Sequence, residues 1–193
     1  MNIIYISQVI SYYCFYVYTS FEFYTKTHEY DKILYLSFSL LCLSNTFLYM
    51  YYCNQEIIPV WVRYIQWLLQ SPFYMLQFLI FFHLDSFFHW ITLLYLQNLL
   101  LLFLWIGEIT NFSKYILLSF SFFPLYIIFY ILQENIHSNM DFLLLHYFFI
   151  LYLFYGVTFL CNSYWKRNML YTVLDVYVII IPICFEIIDF IEK

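Results

Sequence analysis

Two ionisable residues inside long apolar runs, Arg63 and Asp175, are the side chains of this sequence best placed to do chemistry. Arg63 sits in VWVRYIQWLLQSPFYMLQF and Asp175 in NMLYTVLDVYVIII. A charged side chain at membrane depth costs at least ~2.5–3.5 kcal/mol on insertion scales, so it turns toward the protein interior and takes a partner. An arginine and an aspartate at comparable depths are expected to pair, directly or through water. Such a pair supports two chemistries. It can be a satisfied ion pair that fixes helix packing, whose loss of one partner costs ~3–5 kcal/mol, or it can pass protons or ions. Around Arg63 the polar residues share a stripe: Arg63, Gln66, Trp67, Gln70, Tyr74 and Gln77 are three, four or seven positions apart, one face of a helix. The three amides read as interhelical hydrogen bonds, because a neutral amide does not relay protons by titrating.

The elements that carry these residues follow from composition. Of 193 residues, 65% are hydrophobic, 27% aromatic and only 10% charged, against roughly 25% charged in a soluble domain. The chain therefore reads as a multi-pass integral membrane protein embedded in the lipid bilayer. A membrane helix needs about 20 mostly apolar residues, and polar punctuation divides the sequence into spans near 3–24, 33–53, 59–82, 85–107, 112–133, 141–163 and 168–190. The separators are too short for a soluble domain, so the expected organisation is one all-α, seven-transmembrane-helix bundle over residues 1–193. The first run lacks a basic leader and extends past signal-peptide length, so it reads as a retained span. Lysines and arginines are divided between both sets of loops and do not orient the bundle. Abundant Phe, Tyr, Ile and Asn with no alanine suggest an AT-rich genome, which accounts for many of the tyrosines without a functional role.

Several activities have nothing to rest on. The net charge of −5 comes without a basic run, which argues against nucleic-acid binding. The five cysteines, Cys14, Cys42, Cys53, Cys161 and Cys184, have no CxxC spacing and read as small hydrophobes, with no metal site expected. His83, His89 and His146 lack i,i+4 ligand partners, and Glu22, Glu186 and Asp189 lie toward span ends within reach of headgroup water. No phosphate loop, nucleophile elbow or HExxH motif is present, so an enzyme is not expected.

Seven spans with R-Y-x-x-W-x-x-x-x-P in the third (Arg63, Tyr64, Trp67, Pro72) and L-D-V in the seventh (Leu174, Asp175, Val176) resemble the microbial (type I), bacteriorhodopsin-like rhodopsins. A weaker trace lies in the sixth span, where Tyr152, Tyr155, Gly156 and Phe159 occupy places at which that family typically has Trp, Tyr, Pro and Trp around retinal. The resemblance implies a seven-helix bundle of microbial-rhodopsin type. It also implies a vestigial retinal pocket formed by Tyr64, Gln66, Trp67, Gln70, Ser71, Tyr74, Tyr152, Tyr155, Phe159, Asp175 and Ile179.

The departures matter more than the matches. Light-using members attach retinal to a lysine four residues after the seventh-helix aspartate, and that position here is Ile179. A Schiff base requires a primary amine, so covalent retinal is not expected. The third-helix places of counterion and proton donor correspond to Gln66 and Gln77. Losing the amine and its counterion together is chemically coherent, since a buried carboxylate without a cationic partner would carry an uncompensated desolvation penalty. The leading expectation is a light-independent accessory, interaction or chaperone-like membrane protein. Alternatives are a non-covalent retinal or polyene binder, a passive proton or ion channel, and a structural subunit of a membrane complex. Homo-oligomers or other membrane subunits are the expected partners, although no GxxxG face points to either.

Overall fold

In the computed structural model the chain forms seven helices: α1 (Asn2–Thr25), α2 (Glu29–Cys53), α3 (Val60–Phe81), α4 (Phe87–Ile109), α5 (Lys114–Gln133), α6 (Asn139–Phe159) and α7 (Tyr164–Glu192). The structure describes residues 2–55, 59–84, 86–110 and 113–192, without the side chains of residues 2, 180 and 184–192. Cys184, Glu186 and Asp189 therefore lie outside the described side chains. Even α5, at 20 residues, reaches about 30 Å, the thickness of a bilayer's hydrocarbon core.

Among the described residues four helices, α2, α4, α5 and α6, are long and apolar enough to cross a membrane by length and composition. The other three of the seven expected spans are helices too. Tyrosines dilute the hydropathy of α1, and α3 carries Arg63 and three glutamines, which are buried inside the bundle; the apolar run of α7 extends into residues whose side chains lie outside the described ones.

The boundaries shift where local chemistry extends a helix. Helix α2 begins at Glu29 rather than near residue 33, with Glu29 and Asp31 in its first turn, where carboxylates suit the positive end of the helix dipole. Helix α6 starts at Asn139 because Ser138 and Asp141 form a reciprocal capping box. Helix α7 starts at Tyr164, about one turn before the expected position. Arg167 N–H donates to the Ser163 carbonyl at 2.9 Å and the Arg167 guanidinium to the Cys161 carbonyl at 2.9 Å, so the basic YWKRN stretch is helix and not loop.

Consecutive helices pack against one another, and α7 also meets α2, which closes the bundle. Its interior holds three apolar clusters. Tyr12, Phe38, Leu41, Tyr49 and Ile179 join α1, α2 and α7. Met75, Phe78, Leu93, Phe148 and Leu151 join α3, α4 and α6. Trp67, Leu101, Leu104, Phe159 and Tyr171 fill the end where α3 and α7 begin. A Cβ at Gly107 would come within 2.6 Å of the Phe159 ring, so glycine is what lets that ring of α6 pack onto α4.

Candidate functional site

Helix geometry divides the polar stripe of α3 into two lines. At about 100° per residue, Arg63, Trp67 and Tyr74 fall along one, and Gln66, Gln70 and Gln77 along another beside it. The glutamine line faces α2. Gln66 Nε2 donates to Asn45 Oδ1 at 2.8 Å and its Oε1 accepts from Tyr52 Oη at 3.2 Å. Gln70 Nε2 donates to Ser44 Oγ at 3.1 Å, and Gln77 Nε2 to Ser37 Oγ at 3.3 Å. This amide ladder satisfies groups that would otherwise be buried without partners.

The arginine line meets α7. Arg63, 2% exposed, donates through Nη1 to Asp175 Oδ2 at 2.7 Å and through Nη2 to Thr172 Oγ1 at 3.2 Å. Arg63 lies in the first turn of α3 and Asp175 about three turns into α7; they meet because α7 begins further out than the sequence punctuation implies. Asp175 accepts three further bonds: from Tyr49 Oη at 2.8 Å on Oδ2, and from Trp67 Nε1 at 3.0 Å and Tyr155 Oη at 2.8 Å on Oδ1. Donors from α2, α3 and α6 thus converge on one carboxylate of α7. The guanidinium also lies 5.6–5.9 Å from the ring centres of Tyr52, Trp67 and Tyr171, within cation–π range.

Beside Asp175 is a cavity of about 60 Å³, lined by α3, α4, α6 and α7. Of the residues assigned to a retinal pocket, Trp67, Tyr74, Tyr152, Tyr155 and Asp175 line it. The others lie elsewhere. Gln66 and Gln70 face α2. Ser71 donates to the Leu68 carbonyl at 2.9 Å, the acceptor left free by Pro72, and contacts the Asn98 side chain at 2.7 Å. Tyr64 stacks on Trp105 with centroids 6.2 Å apart, and Phe159 packs beside Gly107. Ile179, fully buried, belongs to the cluster with α1 and α2. Tyr152 Oη donates to Gln97 Oε1 across the cavity at 2.8 Å.

Residues missed by the sequence reading complete the picture. Tyr49, Tyr52 and Asn45 on α2 and Thr172 on α7 hold the polar interior, but among 23 tyrosines no single one stands out. Glu108, Lys114 and Arg167, read only as loop charges, come together around the buried Glu108 carboxylate, whose Oε2 lies 2.9 Å from Arg167 and 3.4 Å from the partly exposed Lys114. The i,i+6 spacing of Glu108 and Lys114 across the α4–α5 turn was the available signal. Among the singled-out histidines, His83 and His146 are exposed, with His146 Nδ1 2.8 Å from the Phe142 carbonyl, and His83 has a positive φ of 52° at the end of α3. Glu22 pairs with Lys26 at 3.7 Å. Cys14 is exposed, while Cys53 and Cys161 are half-buried and Cys42 is buried. Among the described residues no group of three His, Cys, Asp or Glu side chains gathers as a metal site.

No protein-family model matches the sequence, and no curated protein matches it by sequence. Solved structures do match. The viral rhodopsin OLPVRII superposes with a TM-score of 0.87 at 21% identity, covering 95% of this chain and 94% of its own. The rhodopsin of Exiguobacterium sibiricum gives 0.79 at 15% identity over 98% and 94%. The transmembrane domain of Salpingoeca rosetta rhodopsin phosphodiesterase gives 0.84 at 9% identity over 100% and 84%. The chain is an integral membrane protein with the fold of the microbial rhodopsins.

Proposed function

We propose that this protein is a divergent microbial-rhodopsin relative working without a Schiff base, as a light-independent accessory, interaction or chaperone-like component of its membrane. One observation carries the reading. Where the resemblance places the retinal lysine stands Ile179, fully buried among apolar neighbours, while the carboxylate one turn earlier is engaged by Arg63, Tyr49, Trp67 and Tyr155. An aspartate with both oxygens doubly bonded has its charge compensated by the protein and holds α2, α3, α6 and α7 together. The same saturation weighs against the ion-pathway reading, since Asp175 has no free lone pair directed at a moving proton.

A second reading, non-covalent binding of retinal or another polyene, is favoured by the apolar cavity beside Asp175. At about 60 Å³ it is far below the ~300–1,000 Å³ of ordinary ligand sites, so a polyene has to widen it.

The visible spectrum of purified protein with all-trans retinal, beside an Ile179→Lys, Gln66→Asp variant, separates these readings. Ile179 and Gln66 both pack toward α2, so the variant restores amine and counterion on one side of the bundle. The expected result is a red-shifted band in the variant alone. A band in the natural protein as well favours the polyene binder, and no band in either removes the retinal-pocket ancestry from the reading.

A further inference from the structure

At the end of α3 opposite Arg63, two turns hold histidines in fixed positions. Helix α3 closes in a Schellman motif: Leu84 N–H donates to the Leu79 carbonyl at 2.8 Å and His83 N–H to the Ile80 carbonyl at 3.3 Å. The left-handed position of that motif normally takes glycine or asparagine, because a Cβ there crowds the following carbonyl. Here it takes His83, whose φ of 52° is the one positive φ among the described residues. Strain kept at a single position argues that its side chain is used.

The facing turn, between α5 and α6, is pinned by the capping box. Asp141 Oδ2 accepts from the backbone N–H groups of His137 and Ser138, each at 2.9 Å. The backbone of His137 is thereby fixed, and its imidazole stays outside the cap. The His83 and His137 rings have centres 5.9 Å apart, with their planes at 41°. Both residues are exposed, and among the described residues neither ring has a hydrogen-bond or ion-pair partner. Two neutral rings in contact would account for this distance, but not for the strained backbone that produces it.

Metal coordination accounts for both. With metal–nitrogen bonds of about 2.0–2.1 Å, two imidazoles that share one ion have ring centres about 5–6 Å apart. The charge around the pair suits a cation. No lysine or arginine occurs between Arg63 and Lys114 or between Lys114 and Lys166, so neither turn carries a basic side chain, and Glu134 and Asp141 flank His137 in sequence.

We propose that His83 and His137 together bind a divalent transition-metal ion of the zinc, copper or nickel class, which ties the α3–α4 turn to the α5–α6 turn. Imidazole selects these ions over magnesium and calcium, which take oxygen ligands. Two protein ligands leave the remaining positions to water, so the ion is exchangeable. It binds neutral imidazole, so acid releases it. Local spacing in the sequence does not reveal such a pair, because each ligand comes from a different turn.

Copper(II), added below one equivalent to the intact protein in nanodiscs, tests the site, since electron spin-echo envelope modulation counts the imidazoles on the ion. The expected result is two imidazoles in the natural protein and one in each of His83→Asn and His137→Gln, with affinity lower by an order of magnitude or more. Asparagine tolerates the left-handed backbone, and His137 joins the cap through its backbone alone, so both variants should keep the far-UV circular dichroism of the natural protein. If His83→Asn does not, His137→Gln carries the test. His28→Asn, at the N-cap of α2, is the control and should retain two imidazoles. A single imidazole in the natural protein, or two in His137→Gln, overturns the site. The absorbance experiment with retinal reads a different region, so the two proposals fail separately.

Discussion

Asp175 and Glu108 are both buried carboxylates facing an arginine, and the protein completes them in opposite ways. Asp175 receives four hydrogen bonds on two oxygens from three other helices. Glu108 places one oxygen between Arg167 and Lys114 and leaves the other without a hydrogen-bond partner among the described residues. The difference tracks position. A carboxylate in the interior of the bundle must be satisfied by side chains, since no water reaches it from the apolar side. One at the bundle's end can leave an acceptor to water. A fully engaged carboxylate is therefore a structural tie, and a half-engaged one is held by its cations alone.

The sharpest way to break this comparison is Asp175→Leu. It leaves the Arg63 charge buried without compensation, a loss of about 3–5 kcal/mol, and removes the acceptor of Tyr49, Trp67 and Tyr155. Reversible unfolding in bicelles followed by circular dichroism measures it. Adding Arg63→Met should recover a large part of the loss, because replacing both members of a buried pair with apolar groups is far milder than removing one. If the double variant is as unstable as the single one, the pair is not what couples α3 to α7.

Glu108→Gln should be milder. Arg167 keeps the Cys161 carbonyl at 2.9 Å and Lys114 is partly exposed, so a loss of about 1.5 kcal/mol is expected, the lower end for a hydrogen bond to a charged group. The same unfolding assay reads it. A loss equal to that of Asp175→Leu would erase the distinction between the two carboxylates.

The two carboxylates were not equally legible in the sequence. Arg63 and Asp175 stood out because charge is rare inside apolar runs and each lies well within one. Glu108, Lys114 and Arg167 flank the turns, where charge is ordinary, and only folding brings Arg167 of α7 to Glu108 of α4. The seven-helix order could be read from polar punctuation, yet helix starts at Glu29, Asn139 and Tyr164 lay inside segments taken as separators. Capping and first-turn carboxylates extend a helix into polar sequence that hydropathy assigns to loops. The candidate pocket was legible residue by residue but not as a surface. A stripe defined by spacings of three, four and seven is wide enough to touch two neighbours, and sequence does not say which line faces α2 and which faces the cavity.

That division of α3 yields the smallest effect. Gln70 makes a single amide bond, to Ser44 at 3.1 Å, whereas Gln66 serves both Asn45 and Tyr52. Interhelical hydrogen bonds in membrane proteins average about 0.6 kcal/mol, because the unfolded chain within the bilayer also finds partners. Gln70→Leu should therefore cost about 0.6 kcal/mol, and Gln66→Leu distinctly more, since it strands the Asn45 oxygen and the Tyr52 hydroxyl together. Bicelle unfolding of the two variants side by side measures the difference. An equal cost would mean that the ladder acts as one unit, and a larger cost for Gln70→Leu would place the working face of α3 on its glutamine line instead of on the line that carries Arg63, Trp67 and Tyr74.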